Sequence, residues 1–283
     1  MIEVDEGAIR HMFSYTPSQL AALMPLVEEY AVTLSHPMDS YVEDNFLAGR
    51  FLSIQKGGEE IGFCTINEDT LWGIYLSKQW MRYAQVVLDE VIKNNGVKDI
   101  YYQTSDPLLV ALVSDWEYEK KKSACFFEDA VRLPRPQIGF PGLTFDVARA
   151  DDMPRIQEET NGFFTPDDQK AGTIYMLQSE GNLLGCGISV PGKLFKDCVG
   201  IGMVTCKAYR KRGVGKYILW SLKEKCYELG LKPIAGCWYY NTLSRKTLES
   251  VGMVTRARGM RAVLTGRETI PECTGNPPGE PVE

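Results

Sequence analysis

Apolar positions recur along this chain with helical and strand periods, and the order of those elements repeats. Leu20, Leu23, Leu26, Val27 and Tyr30 fall at helical spacing and predict a helix over 16–34. Residues 35–49 are mixed and read as loop with room for a short helix. Strands are predicted over 51–55 and 61–66 about a turn at Gly57-Gly58, then over 70–76. A helix over 80–94 carries Ala84, Val87, Leu88, Val91 and Ile92 on one face, and Gly96 closes it. A strand over 100–104, a helix over 107–116 and a strand over 122–131 complete the first half.

Pro134, Pro136, Pro141 and Gly142 then break the periodicity and mark 134–142 as a linker. Beyond it come a strand over 143–148 and a helix capped by Asp151 that runs to about residue 160. A hairpin (174–178 and 183–190) turns at Glu180-Gly181-Asn182. A strand over 199–205 leads into a helix over 214–229, with Ile218, Leu222, Cys226 and Leu229 on one face and Gly230 at its end. A strand over 234–238, a helix over 242–250 and closing strand over 254–264 follow; 266–283, proline-rich and poor in apolar residues, reads as a mobile tail. The two halves align as an internal repeat, with Gln55 on Gln178, Gly62 on Gly185 and Gly96 on Gly230. The division expected is 1–133, linker 134–142, 143–265 and tail, in an α/β chain.

Composition adds little until the charge is considered. A formal net charge of −6 offers no electrostatic reason for a nucleic-acid partner, so the basic cluster at 210–212 is a local exception. The 8 cysteines form no C-x-x-C pair and only 2 histidines are present, so no metal site is expected. The acidic start, Met1 to Glu6, is not a secretion signal, and no apolar run approaches a membrane span. A reduced cytoplasmic protein without a membrane partner is expected.

The chemistry concentrates at Arg210-Lys211-Arg212-Gly213-Val214-Gly215, between a predicted strand and a predicted helix. Unpaired N–H groups at a helix start, together with the helix dipole, attract phosphate. Gly213 and Gly215 remove side chains from that approach, and three basic residues add charge. The third glycine of a dinucleotide fingerprint is missing, and Gly215-Lys216 is followed by Tyr217 rather than the Ser or Thr of a nucleotide P-loop. The first half has Leu76, Gln79 and Met81 at the positions matched to Arg210, Gly213 and Gly215, so it reads as the same fold without a phosphate cradle.

With its R-x-x-G-x-G turn between strand and helix, the chain resembles the GNAT superfamily of acyl-coenzyme A-dependent N-acetyltransferases. The resemblance covers 143–265 well and 51–131 as a degenerate copy, and the long N-terminal part is similar to that of the zwittermicin-resistance-type subgroup. It implies two units, each a mixed, mostly antiparallel sheet flanked by helices. It also implies acetyl-CoA as cofactor and a small-molecule or peptide amine as acceptor, and it leaves the oligomeric state open, since a tandem repeat can act as a pseudo-dimer within one chain.

By the same resemblance, Met203, Val204 and Thr205 border the pantetheine arm, and Arg210, Lys211, Arg212, Gly213, Val214, Gly215 and Lys216 hold the pyrophosphate. Asn241, Ser244 and Arg245 border the cofactor, although Asn241 also reads as a plain helix cap. Where the family often has a tyrosine acid this chain has Leu248; Tyr239 and Tyr240 are the nearest replacements, and alternation aims only one of them at a cleft. Asp197 is the nearest substitute for the family's glutamate base, or else a turn residue. Glu158, Glu159, Asn161, Phe163 and Phe164 fall where the family walls its acceptor site, with the glutamates equally readable as a solvated face. The missing acid leaves a second reading open, an acyl-CoA-binding regulator or scaffold without turnover.

Overall fold

A computed structural model describes residues 12–264. The predicted tail over 266–283, the acidic start, His11 and Cys273 lie outside the described residues. In the first half the elements are β1 (Phe13–Ser18), α1 (Leu20–Thr33), α2 (Ser40–Ala48), β2 (Arg50–Lys56), β3 (Glu59–Asn67) and β4 (Thr70–Leu76), then α3 (Ala84–Asn95), β5 (Asp99–Gln103), α4 (Pro107–Ser114) and β6 (Glu119–Asp129). In the second half they are β7 (Leu143–Val147), α5 (Met153–Thr160), α6 (Pro166–Ala171), β8 (Thr173–Ser179), β9 (Asn182–Pro191) and β10 (Cys198–Thr205), then α7 (Val214–Glu228), β11 (Lys232–Trp238), α8 (Thr242–Ser250) and β12 (Met253–Val263).

Two elements of the first half depart from the periodicity. Residues 16–18 are extended and pair with β2, Pro17 opposite Leu52, instead of opening the first helix. Proline lacks the N–H a central strand needs, and β1 is an edge strand, where that loss costs little. The mixed stretch 35–49 contains α2, started by Asp39, whose Oδ1 accepts from the Val42 N–H at 3.0 Å.

Among the described residues twelve strands form one sheet, in the order β1-β2-β3-β4-β5-β12-β6-β11-β10-β9-β8-β7. The centre of that order is an exchange. β12, the last strand of the second half, pairs antiparallel with β5 of the first, Ala262 opposite Ile100. β6, the last strand of the first half, pairs antiparallel with β11 of the second, Ala235 opposite Phe127. The two exchanged strands also pair with each other, from Met253 opposite Asp129 to Val263 opposite Glu119.

Helices cover both faces. α3 and α4 bury Leu88, Val91 and Leu112 against Ile61, Ile74 and Ile100, and α7 buries Ile218 and Leu222 against Leu184, Ile201 and Ala235. α1 and α2 pack Leu23, Tyr30 and Phe46 into a third cluster with Phe63, Phe126 and Ala257. One buried cation stands out on α7. The Lys223 side chain is only 2% exposed, lies 2.6 Å from Asp129 Oδ1, and donates to the carbonyls of Val131 and Val251.

Candidate active site

Among the described residues only two neighbouring strand pairs are parallel, β4 with β5 and β10 with β11. β10 and β11 pair from Cys198–Lys232 to Gly200–Ile234 and then part, while β10 stays bonded to β9 as far as Thr205. A cleft of about 960 Å³ opens in the gap. Met203, Val204 and Thr205 line it from β10, Gly236, Cys237 and Trp238 from β11.

The start of α7 faces this cleft through Gly213, Val214, Gly215 and Lys216. Gly213 occupies the cap position at φ +83°, a left-handed conformation that L side chains rarely adopt. No side chain caps the helix, so its first amides are left for another partner. Arg210 and Lys211 stand at the rim, Arg210 Nε donating to the Thr205 carbonyl at 3.3 Å. Gly215 also meets a packing need. A Cβ there would lie 3.0 Å from Met203 Sδ and 3.3 Å from Thr205 Oγ1, so glycine lets α7 close on β10.

The first half also reaches the cleft. Asp39, Ser40 and Tyr41, at the start of α2, form part of its wall. A Cβ on Gly236 of β11 would sit 2.0 Å from Asp39 Oδ2, and one on Gly200 of β10 would sit 3.6 Å from Ser40 Oγ. The start of α2 therefore straddles the point where β10 and β11 separate. Burial pushes the Asp39 carboxyl up to about 6, with Asp44 and Glu43 adding to the shift and the Val42 N–H opposing it.

Comparison with known proteins matches residues 19–130 to an acetyltransferase (GNAT) domain and residues 143–253 to the acetyltransferase (GNAT) family. The chain carries two GNAT acetyltransferase domains in tandem. No curated protein matches it. An acetyltransferase from the GNAT family of Colwellia psychrerythraea superposes with TM-score 0.77 at 17% identity, covering 89% of this chain and 98% of that one. A GCN5-related N-acetyltransferase from Sphaerobacter thermophilus gives TM-score 0.60 at 12% identity, covering 89% and 96%. A tandem GNAT protein from the clavulanic acid biosynthesis pathway gives TM-score 0.58 at 10% identity, covering 90% and 100%. Similarity at this level concerns the fold, an α/β arrangement of two GNAT units in a mixed, mostly antiparallel sheet.

In this GNAT cleft several residues expected to act lie elsewhere. Asp197 sits before β10, at the closed end of the strand pair, 2.7 Å from Lys232 Nζ. That lysine holds its carboxyl below the usual carboxylate range, which makes it a poor proton acceptor. Asp197→Asn is expected to leave turnover and its pH profile unchanged, as steady-state rates across pH would show. Tyr239 and Tyr240 are outside the cleft lining. The Tyr239 N–H is still bonded to Ser123 O on the β6 side, with Lys122 Nζ 5.1 Å from the ring centroid, and Tyr240 is 58% exposed. Arg212 turns away to the linker, its guanidinium 4.3 Å from the Phe140 ring centroid. Arg245 is also outside the lining, whereas Asn241 and Ser244 are in it. Asn241 caps α8 as well, accepting from the Ser244 N–H at 3.1 Å.

On the acceptor side Phe163 and Phe164 line the cleft, and Glu158, Glu159 and Asn161 do not. Glu158 is exposed, Glu159 is paired with Arg155 at 2.9 Å, and Asn161 ends α5 at φ +56°. Asp168, which does line the cleft, is occupied at Oδ2 by the Thr165 N–H and hydroxyl, each at 2.7 Å.

The first half has the same splay in β4 and β5 with different contents. Its strands pair at Thr70–Asp99 and Leu71–Ile100, and the next residues, Trp72 and Tyr101, stack with centroids 4.5 Å apart. Those positions correspond to Ile201 and Ala235 in the second half, counting from each pair's last parallel contact. Aromatic rings thus fill the start of the gap. The strand end also corrects the repeat alignment, since Leu76 ends β4 as Thr205 ends β10, instead of matching Arg210.

Proposed function

We propose that the protein transfers an acetyl group from acetyl-CoA to an amine of a small molecule or peptide, in the cleft of the second half. The observation that carries this reading is the uncapped start of α7, opened by Gly213 at φ +83°, facing a cleft bordered by the parted edge of β10. The amides there, with Arg210 and Lys211 at the rim, suit a pyrophosphate. The β10 edge suits a pantetheine arm laid alongside as an added strand, and its N–H groups would polarise a carbonyl held next to them. Acetyl-CoA supplies an activated acyl group when bound. The chain's own contribution is to hold the amine beside it, which lowers the barrier by proximity. Leu248 in place of a tyrosine acid is tolerable because a thiolate leaves readily.

The cleft's carboxylates, Asp39 and Asp168, and its aromatic residues, Tyr41 and Phe163, favour a cationic amine over an anionic acceptor. Membership of the zwittermicin-resistance-type subgroup is supported by the long part before the catalytic unit. A cytoplasmic, monomeric enzyme fits described cysteines that are all free thiols, all but Cys237 buried, and two units joined in one sheet within a single chain. No helix among the described residues is long and apolar enough to cross a membrane.

Calorimetry with acetyl-CoA, followed by thiol-release assays against polyamines, aminoglycosides, amino acids and dipeptides, tests the proposal. Micromolar binding and turnover of at least one amine are expected. No binding would overturn it, and binding without transfer to any amine would favour the regulator or scaffold.

A further inference from the structure

We propose that Asp39, contributed by the first half, is the catalytic base of the second half's cleft, and that Glu43 is the residue that positions it. This rests on the acetyltransfer reading above and adds the proton acceptor that reading lacks.

The placement follows from the cleft's polarity. Phosphate-binding features lie at the Thr205 end of β10, and Gly200, where the strands part, lies at the other. Five residues of extended strand separate them, a span of roughly 17 Å. A carrier anchored at α7 and lying along β10 presents its acyl end near the point of separation. The start of α2 sits there, with Ser40 against Gly200 and Asp39 Oδ2 against Gly236. Asp39 Oδ1 accepts from the Val42 N–H, and Oδ2 takes no hydrogen bond from the described residues.

The cleft's other carboxylate and its thiol are poorer proton acceptors. Asp168 is occupied at its helix cap, and burial pushes the Cys237 thiol up to about 11, which keeps it protonated. The ionisable groups near Asp39 are Glu43 and Asp44 on its own helix and Tyr101 on β5, with Tyr41, Cys237 and Lys246 on the cleft walls. Burial and the two acidic neighbours raise the Asp39 carboxyl, so it is ionised, and able to take a proton, above about pH 6.

Glu43 ties the start of α2 to the second half. It is 2% exposed, and its carboxylate accepts from the backbone N–H groups of Lys193 (2.8 Å), Leu194 (2.6 Å) and Phe195 (3.3 Å) in the loop between β9 and β10. Lys193 Nζ also pairs with Asp44. One turn of helix thus ties a carboxylate of the first half to the loop that launches the second half's cofactor strand.

The step balances as follows. The acceptor ammonium gives one proton to Asp39, and the freed nitrogen lone pair forms the C–N bond while the C–S bond breaks. The second nitrogen proton goes to the departing thiolate, and Asp39 returns its proton to solvent.

The test uses the full chain, acetyl-CoA and an amine that the parent acetylates. Asp39→Asn retains the helix cap. It should lower kcat roughly 100-fold or more while leaving coenzyme A affinity unchanged, and the rise in rate through about pH 6 should disappear. Asp39→Glu should restore part of the rate. Glu43→Gln should lower the rate while keeping the acid limb, since the base is present but displaced. Asp39→Asn turning over like the parent, or retaining the limb near pH 6, overturns the inference and leaves the transferase reading intact. A parent that binds acetyl-CoA and acetylates no amine overturns both.

Discussion

Gly213→Glu should raise the dissociation constant for coenzyme A about 100-fold or more while the chain stays folded. Two effects act at one position. The residue sits at φ +83°, and a Cβ there would lie 2.7 Å from Ile138 Cγ2 of the linker, so the turn must shift to admit any side chain. The carboxylate then places negative charge where the pyrophosphate is expected. Two unit charges about 5 Å apart at an effective dielectric of about 20 repel by roughly 3 kcal/mol. That corresponds to rather more than 100-fold in affinity. Gly213→Ala carries the strain without the charge and should bind coenzyme A more tightly than Gly213→Glu. Calorimetry on both variants separates the terms, and unchanged affinity in Gly213→Glu would remove the pyrophosphate from this corner.

The second large effect concerns folding. Lys223→Met keeps most of the apolar stem and removes the ammonium that lies between Asp129 and the carbonyls of Val131 and Val251. Asp129 keeps its bond from the Tyr227 hydroxyl but loses its counter-charge in a shielded site. Breaking a buried pair on one side costs about 3–5 kcal/mol. For a chain of this size that lowers the thermal midpoint by roughly 10 °C. A midpoint matching the parent would mean that the pair's attraction does no more than offset the desolvation of its two ions.

What was legible in the sequence was local. The strand, basic turn, glycine and helix that open α7 are consecutive residues, and turn chemistry is set by neighbours, so Gly213 and the start of α7 could be read directly. Helix ends at Gly96 and Gly230, at φ +66° and +67°, were legible for the same reason. Asp39 was not, although an aspartate ahead of a short amphipathic run is a cap signal. Nothing in the spacing says that α2 docks on the loop at 193–195, 150 residues away. Tyr239 and Tyr240 misled because alternation tells which face a side chain takes but not which strand lies beside it. β6, from the other half, occupies the side that Tyr239 turns to. The same blindness hid the exchange of β6 and β12, since periodicity identifies strands without naming their partners.

That exchange bears on how a duplicated unit can decay. Trp72 and Tyr101 occupy the first half's own gap, where the second half carries Ile201 and Ala235. Yet β6 cannot be discarded, because the β11 wall of the working cleft is laid against it. Under the proposed reaction the first copy can lose its chemistry but must keep its scaffold, and a fragment beginning at the linker would keep the glycine turn without the strand that β11 is laid against.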